Sequence, residues 1–76
     1  MRVARISRGN GDDKISKIIY EDETYYYGFE ENGIRTSFGK YCTKDGKIIK
    51  AGIWDNDKCI EIMSAEEIEK ELKDKY

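Results

Sequence analysis

The sequence predicts a mainly β protein: a small antiparallel β-meander of about five to six strands with one C-terminal α-helix. Three observations predict it. Short runs rich in Ile, Tyr and Trp alternate with turn signals as far as residue 63. Two of those signals, Asn32-Gly33 and Asp45-Gly46, are dipeptides suited to tight hairpins. From Ser64 onward the apolar spacing becomes helical.

Arg2–Arg8 alternates weakly through Val3, Ala4 and Ile6 and reads as a first strand. Gly9-Asn10-Gly11-Asp12-Asp13 is dense in residues that accept positive φ or bond their own backbone, which marks a turn. Lys14–Tyr20 carries Ile15, Ile18 and Ile19, a β-branched content that favours a second strand over a helix of that length. Glu21-Asp22-Glu23 follows as a charged reverse turn. Thr24–Glu30 has the strongest β composition in the chain. Side chains alternate across a strand, so Tyr25, Tyr27 and Phe29 share one face and Tyr26, Gly28 and Glu30 the other. Thr36–Thr43, Lys47–Trp54 and Lys58–Met63 return as further strands, separated by Lys44-Asp45-Gly46 and Asp55-Asn56-Asp57.

Ser64-Ala65-Glu66-Glu67 forms a capping box, with Met63 and Ile68 spaced as a hydrophobic staple. Ala65, Ile68, Leu72 and Tyr76 make one narrow apolar stripe, and Glu66/Lys70, Glu69/Lys73 and Glu71/Lys75 stand at i,i+4. A helix this short is marginal alone, so its stripe is expected to dock on the sheet.

Size sets the remaining bounds. The 76 residues are read as a single domain, 1–63 sheet and 64–76 helix, whose core supplies only about 3–5 kcal/mol of net stability. The opening Met-Arg-Val-Ala-Arg has no apolar h-region, so a cytoplasmic location with two free, half-buried thiols, Cys42 and Cys59, is expected. No apolar run reaches the roughly 20 residues of a membrane span.

Charge is blocky. Five basic and two acidic groups in residues 1–20 precede five acidic groups in 21–31; five basic and one acidic follow in 32–50, then four basic and eight acidic in 51–76. A nucleic-acid binder would carry a basic footprint of one sign. The net charge of −2 disfavours that reading. It survives as the alternative, with Arg2, Arg5, Arg8, Lys14 and Lys17 interleaved with tyrosines as a stacking sheet.

The chain repeats itself. A shift of 24 residues aligns Gly28 with Gly52, Asn32 with Asn56, and Tyr25, Tyr27 and Phe29 with Ile49, Ala51 and Ile53. The odd-numbered apolar face recurs in both copies and is therefore expected to be the buried one. Gly28 and Gly52, mid-strand, call either for a close neighbour, such as a ring of Tyr26, Tyr41 or Trp54, or for a plain bend.

Tyr26-x-Gly28, Asn32-Gly33, Gly39-x-Tyr41 and Asp45-Gly46, with a next unit beginning at Gly52 and Trp54, resemble a MORN (membrane occupation and recognition nexus) repeat. The resemblance covers roughly residues 26–57. Glu30 stands where that pattern has an aromatic, Lys50 replaces its second tyrosine, and one extra residue precedes Gly52. It implies antiparallel hairpins laid side by side in an interaction scaffold; lipid contact, suggested only by the name, lacks a lipidation motif or basic amphipathic helix.

No catalytic apparatus is legible. Histidine, the usual general base and commonest metal ligand, is absent. Glu21, Asp22, Glu23, Glu30 and Glu31 lie in or beside turns, where nothing separates their pKa values for acid/base work. Asp12-Asp13 and Asp55-x-Asp57 lack the rest of a calcium loop, and Cys42 and Cys59 lack the further ligands of a zinc site. Gly9-x-Gly11 has no helix signal after it and fails as a phosphate loop. The chain is therefore read as a non-enzyme with no metal and no cofactor.

Six tyrosines and a tryptophan exceed what so small a core needs, and such rings give contact area at low entropic cost. Tyr26, Tyr41 and Trp54 are the rings expected to stay exposed on a shallow sheet. With Glu30 and Glu31 they form the candidate surface for a partner protein. Glu21, Asp22 and Glu23 form an acidic patch suited to a basic groove. The expected function is stoichiometric protein binding, as in an inhibitor or regulator of a larger enzyme such as a phage anti-defence protein. Homodimerisation through an edge strand is the open-sheet alternative.

Overall fold

The computed structural model describes residues 2–8 and 15–74. The expected turn at Gly9–Asp13 and the last stripe residue, Tyr76, lie outside them. Six strands run in simple succession: β1 (Val3–Arg8), β2 (Ile15–Tyr20), β3 (Tyr25–Glu31), β4 (Ile34–Cys42), β5 (Ile48–Asp55) and β6 (Lys58–Ile62). Each pairs antiparallel with the next in one sheet of order β1-β2-β3-β4-β5-β6, and α1 (Ala65–Asp74) follows. The expected mainly β meander with one C-terminal helix is the observed fold.

Turn chemistry accounts for the hairpins. Asn32 and Gly33 both take positive φ (54° and 84°), as do Asn56 and Asp57 (50° and 71°). Consecutive left-handed residues twist the chain in the sense that paired strands need. Positions 24 residues apart thus perform the same task, once with glycine and once with Asp57.

The helix starts as its cap dictates: the Glu67 amide donates to Ser64 Oγ at 3.2 Å. Ile68 and Leu72 are buried with Ile15 and Ala51, and Tyr27, Phe29, Phe38, Ile48 and Met63 pack around them. Ala65, counted in the apolar stripe, is exposed. Glu69 reaches across to Lys40 on β4 at 3.4 Å.

The sheet is filled on both faces, which corrects the expectation of one buried, odd-numbered face. The helix lies over β4 and β5 on the face that carries the odd-numbered β3 residues, and there Tyr25, Tyr27 and Phe29 are each half-buried. The even face holds the most deeply buried ring, Tyr26, with Ile18, Tyr20 and Trp54 around it and Ile6, Tyr41 and Cys59 at the margin. Ile49, expected inside, is exposed, because the β4–β5 register shifts between Tyr41 and Cys42 and leaves it unpaired. Ile53 is half-buried.

A row of glycines makes the second core possible. Gly28 pairs with Gly39 and Gly39 with Gly52, so three neighbouring strands lack Cβ atoms along one line. A Cβ at Gly39 would land on the Tyr26 ring, one at Gly28 on the backbone of Gly39, and one at Gly52 on the Glu61 carbonyl. The Tyr26 ring lies in the space the row leaves. Its hydroxyl, carried past the glycines to the bulge between Gly28 and Glu30, donates to the Phe29 carbonyl at 2.6 Å. Trp54 meets Tyr26 edge-on at 5.5 Å, and its indole N–H donates to the Gly39 carbonyl at 3.0 Å. Of the two readings of Gly28 and Gly52, close approach is the observed one.

Candidate functional site

Tyr26 and Trp54 were expected as exposed contact rings; they are 0% and 4% exposed. Burying such rings favours folding, and each polar atom already has an acceptor within the sheet. Tyr41 is half-buried, its hydroxyl donating to Thr24 Oγ1 at 2.9 Å. Glu30 takes a structural role: its carboxylate accepts from Ser16 Oγ at 3.0 Å and from the Gly33 amide at 2.7 Å, which ties the β3–β4 turn to β2. Glu31 is exposed at the hairpin tips, where a hollow of about 280 Å³ is lined by Asn32, Ile34, Thr36, Asp55 and Asn56.

The acidic turn is exposed but internally matched. Glu21 faces Arg2 at 3.7 Å and Glu23 faces Lys44 at 3.3 Å. Hydrogen bonds from the Thr24 hydroxyl and amide hold the Asp22 carboxyl below the usual carboxylate range. Among the cations of the nucleic-acid alternative, Arg2 is thus paired and Lys17 lies over the Tyr25 ring at 4.6 Å. Lys14 and the Arg8 side chain lie outside the described residues.

A different residue organises the even face. Arg35, at the start of β4, is 9% exposed, an unusual place for a guanidinium. Its Nε donates to Asp57 Oδ1 at 2.6 Å and Nη2 to the Asp57 carbonyl at 2.9 Å; the two backbones also exchange a bond, from the Asp57 amide to the Arg35 carbonyl, at 3.0 Å. The left-handed φ of Asp57 aims its carboxylate back at β4. Around the guanidinium stand Trp54 at 4.4 Å, Tyr41 at 5.5 Å and Tyr20 at 5.7 Å. Paired and ringed, the charge is compensated where it sits.

Tyr20 completes this box and carries its one flaw. It packs edge-on to Tyr41 at 5.9 Å, yet its buried hydroxyl has no hydrogen-bond partner among the described residues. Burial pushes the Tyr20 phenol up to about 12, against the opposing pull of Arg35. Burial raises the Tyr26 phenol as well.

On the solvent side of Arg35 the even face opens into a cleft of about 370 Å³. Buried Arg35 and Trp54 and half-buried Tyr41 form its inner wall, while the exposed Ile49, Lys50, Asp57 and Lys58 form the rim. Cys42 and Cys59 are both free thiols, Cys42 fully buried rather than half-buried.

Beside the cleft the sheet ends at β6, with no strand beyond it among the described residues. The Met63 amide bonds the Ala51 carbonyl and the Glu61 carbonyl lies against Gly52, so both face β5. By alternation the Ile62 N–H and C=O face outward. Ile60 and Ile62 are 64% and 67% exposed.

Sequence reasoning placed the β6 strand but missed Arg35, and it did not single out Ile60 and Ile62. One signal was available: Asp57 occupies the position matching Gly33, where positive φ favours glycine, so its side chain had to offset that cost. Among the described residues no group of three or more His, Cys, Asp or Glu side chains is placed to hold a metal, and no helix is long and apolar enough to cross a membrane. Comparison with protein-family models finds no match to this chain, and comparison with curated proteins and with solved structures finds none either.

Proposed function

We propose that this chain is a non-enzymatic protein-binding module that acts by stoichiometric contact, taking an extended segment of its partner onto the edge of β6. The observation that carries this reading is the pair Ile60 and Ile62, both largely exposed on an edge strand. An apolar edge with outward backbone groups is an aggregation hazard unless something covers it. Main-chain bonds to such an edge supply affinity, and side-chain pockets beside it supply selectivity. Here that pocket is the Arg35 cleft. Inhibition or regulation of a larger enzyme is the form we favour, since the contact needs no chemistry from this chain. The hairpins that build the surface are, in the same reading, degenerate MORN-like units, supported by Tyr26 lying over Gly39.

Photo-crosslinking in the source cell tests this. A benzophenone side chain replaces Ile62 in one variant and Glu66, exposed on the helix, in another. The expected result is one discrete 1:1 adduct from position 62 and none from 66, competed by the parent chain but not by I60T/I62T. An adduct from 66 alone, or equal competition by I60T/I62T, contradicts the reading.

A further inference from the structure

We infer that the Arg35 cleft is an oxyanion seat, and that it takes the carboxylate or phosphate of an acidic side chain on the segment docked at β6. The inference deepens the strand-docking reading and rests on it for its occupant, though not for the seat itself.

Two of the five guanidinium N–H donors are used. Nε and Nη2 are committed to Asp57. Among the described residues the remaining terminal nitrogen has no protein partner, and Arg35 lines the cleft. Three rings and the Asp57 clamp fix the plane of the fork, so its open donors are set before any ligand arrives. An oxyanion gains most from donors that need no reordering.

The rim supplies more positive charge. Lys50 and Lys58 line the same cleft, are exposed, and form no ion pair among the described residues. Asp57 is the one carboxylate among the lining residues, so cations outnumber it three to one. The chain as a whole carries −2, and the hairpin-tip hollow is lined by Glu31 and Asp55. Local charge is thus reversed here, beside the exposed apolar edge. An acid next to apolar residues on an extended segment matches both.

A second copy of this chain is a poor occupant. Two-fold pairing of β6 with β6 would bring a second Lys50 and Lys58 up to the first, and like charges so placed repel.

The test uses the full chain in ¹H–¹⁵N correlation spectra at constant ionic strength. Phenyl phosphate is titrated first, with inorganic phosphate as a second probe. Saturable shifts are expected at the Arg35 Nε–H and at the amides of Lys50, Trp54, Lys58 and Cys59. K50Q/K58Q, changed only at exposed positions, should keep its melting temperature and bind at least tenfold more weakly. I60T/I62T should respond as the parent does, since the seat does not include the apolar edge. No saturable shift, shifts spread over the whole chain, or an unchanged response in K50Q/K58Q overturns the seat.

The occupant is tested with a capped peptide of alternating Val and Thr carrying one central Glu, against its Gln twin. At least tenfold tighter binding of the Glu peptide, lost in K50Q/K58Q, is expected. Equal affinity of the two peptides, with phosphate still bound, overturns the occupant while the seat stands. A dimer by sedimentation whose formation is abolished by I60T/I62T would overturn it in favour of a second copy.

Discussion

Replacing Arg35 by alanine is the sharpest test of how the even face is built. The side chain loses two charge-assisted bonds to Asp57, at 2.6 and 2.9 Å. Bonds of that type contribute about 1.5–3 kcal/mol each when well shielded. The Asp57 side chain is 52% exposed, so solvent takes over much of its loss and the lower end applies. Contact with the Trp54 ring at 4.4 Å adds about 0.5–2 kcal/mol, and a gap opens among three rings. Together R35A should cost about 3 kcal/mol, comparable to the whole net stability of a domain this size. At about 4–8 °C per kcal/mol the melting temperature falls by about 12–24 °C. Urea unfolding followed by far-ultraviolet circular dichroism, in a cycle of R35A, D57G and the double variant, isolates the pair. Glycine suits it because it tolerates the φ of +71° at position 57 and so adds no backbone strain. A coupling energy of about 1–3 kcal/mol is expected. Coupling below about 0.5 kcal/mol, the value of an ordinary surface pair, would refute the reasoning.

Three further outcomes follow from the same geometry. Y20F removes a buried hydroxyl that has no partner among the described residues and should leave the protein as stable or more stable, by about 1 kcal/mol, in the same urea assay; a loss of 1 kcal/mol would mean that the hydroxyl is bonded. Tyr20, with its phenol raised to about 12, and Tyr26, raised further, stay protonated in the folded chain where they would ionise in the unfolded one. The contribution of these two rings to stability is therefore complete below about pH 10 and is lost as pH rises from about 10 toward 12, by about 1.4 kcal/mol per pH unit for each ring. Tyrosinate absorbance should show two of the six phenols appearing only with loss of the circular dichroism signal, whereas all six titrating before unfolding would contradict the burial. G39A should cost more than 2 kcal/mol, since its Cβ meets the enclosed Tyr26 ring. G46A, where the nearest atom is the Tyr25 hydroxyl at 3.8 Å and φ is +91°, should cost only about 1 kcal/mol of backbone strain; equal effects would mean that the glycine row is not closely covered.

The hairpins and helix were legible because their determinants are local. Asn32-Gly33 and the Ser64–Glu67 box state their conformations within four residues, and both are found. The choice of face was not legible. Every position of β3 from Tyr25 to Phe29 is aromatic or glycine, so alternation separates two faces without ranking them. The helix decides the matter by lying over β4 and β5 on the odd side, and its landing site depends on packing over the whole sheet. The register shifts at Gly28/Glu30, Tyr41/Cys42 and Ile53/Trp54 were equally hidden, because an extra residue leaves no compositional mark. They turn Ile49 and the β6 isoleucines outward. Arg35 and Asp57 stand 22 residues apart, and only the tertiary fold makes one the clamp of the other. The rings of Tyr26 and Trp54, assigned to a partner from composition alone, fill the space over their own glycines.

The most direct check on this arrangement is the emission of Trp54, the only tryptophan in the chain. Enclosed by Tyr26 and the Arg35 guanidinium, it should emit well to the blue of free tryptophan and resist acrylamide quenching until the protein unfolds. Emission at the position of tryptophan in water, quenched as readily as the free amino acid, would return that ring to the surface and remove the cleft described around it.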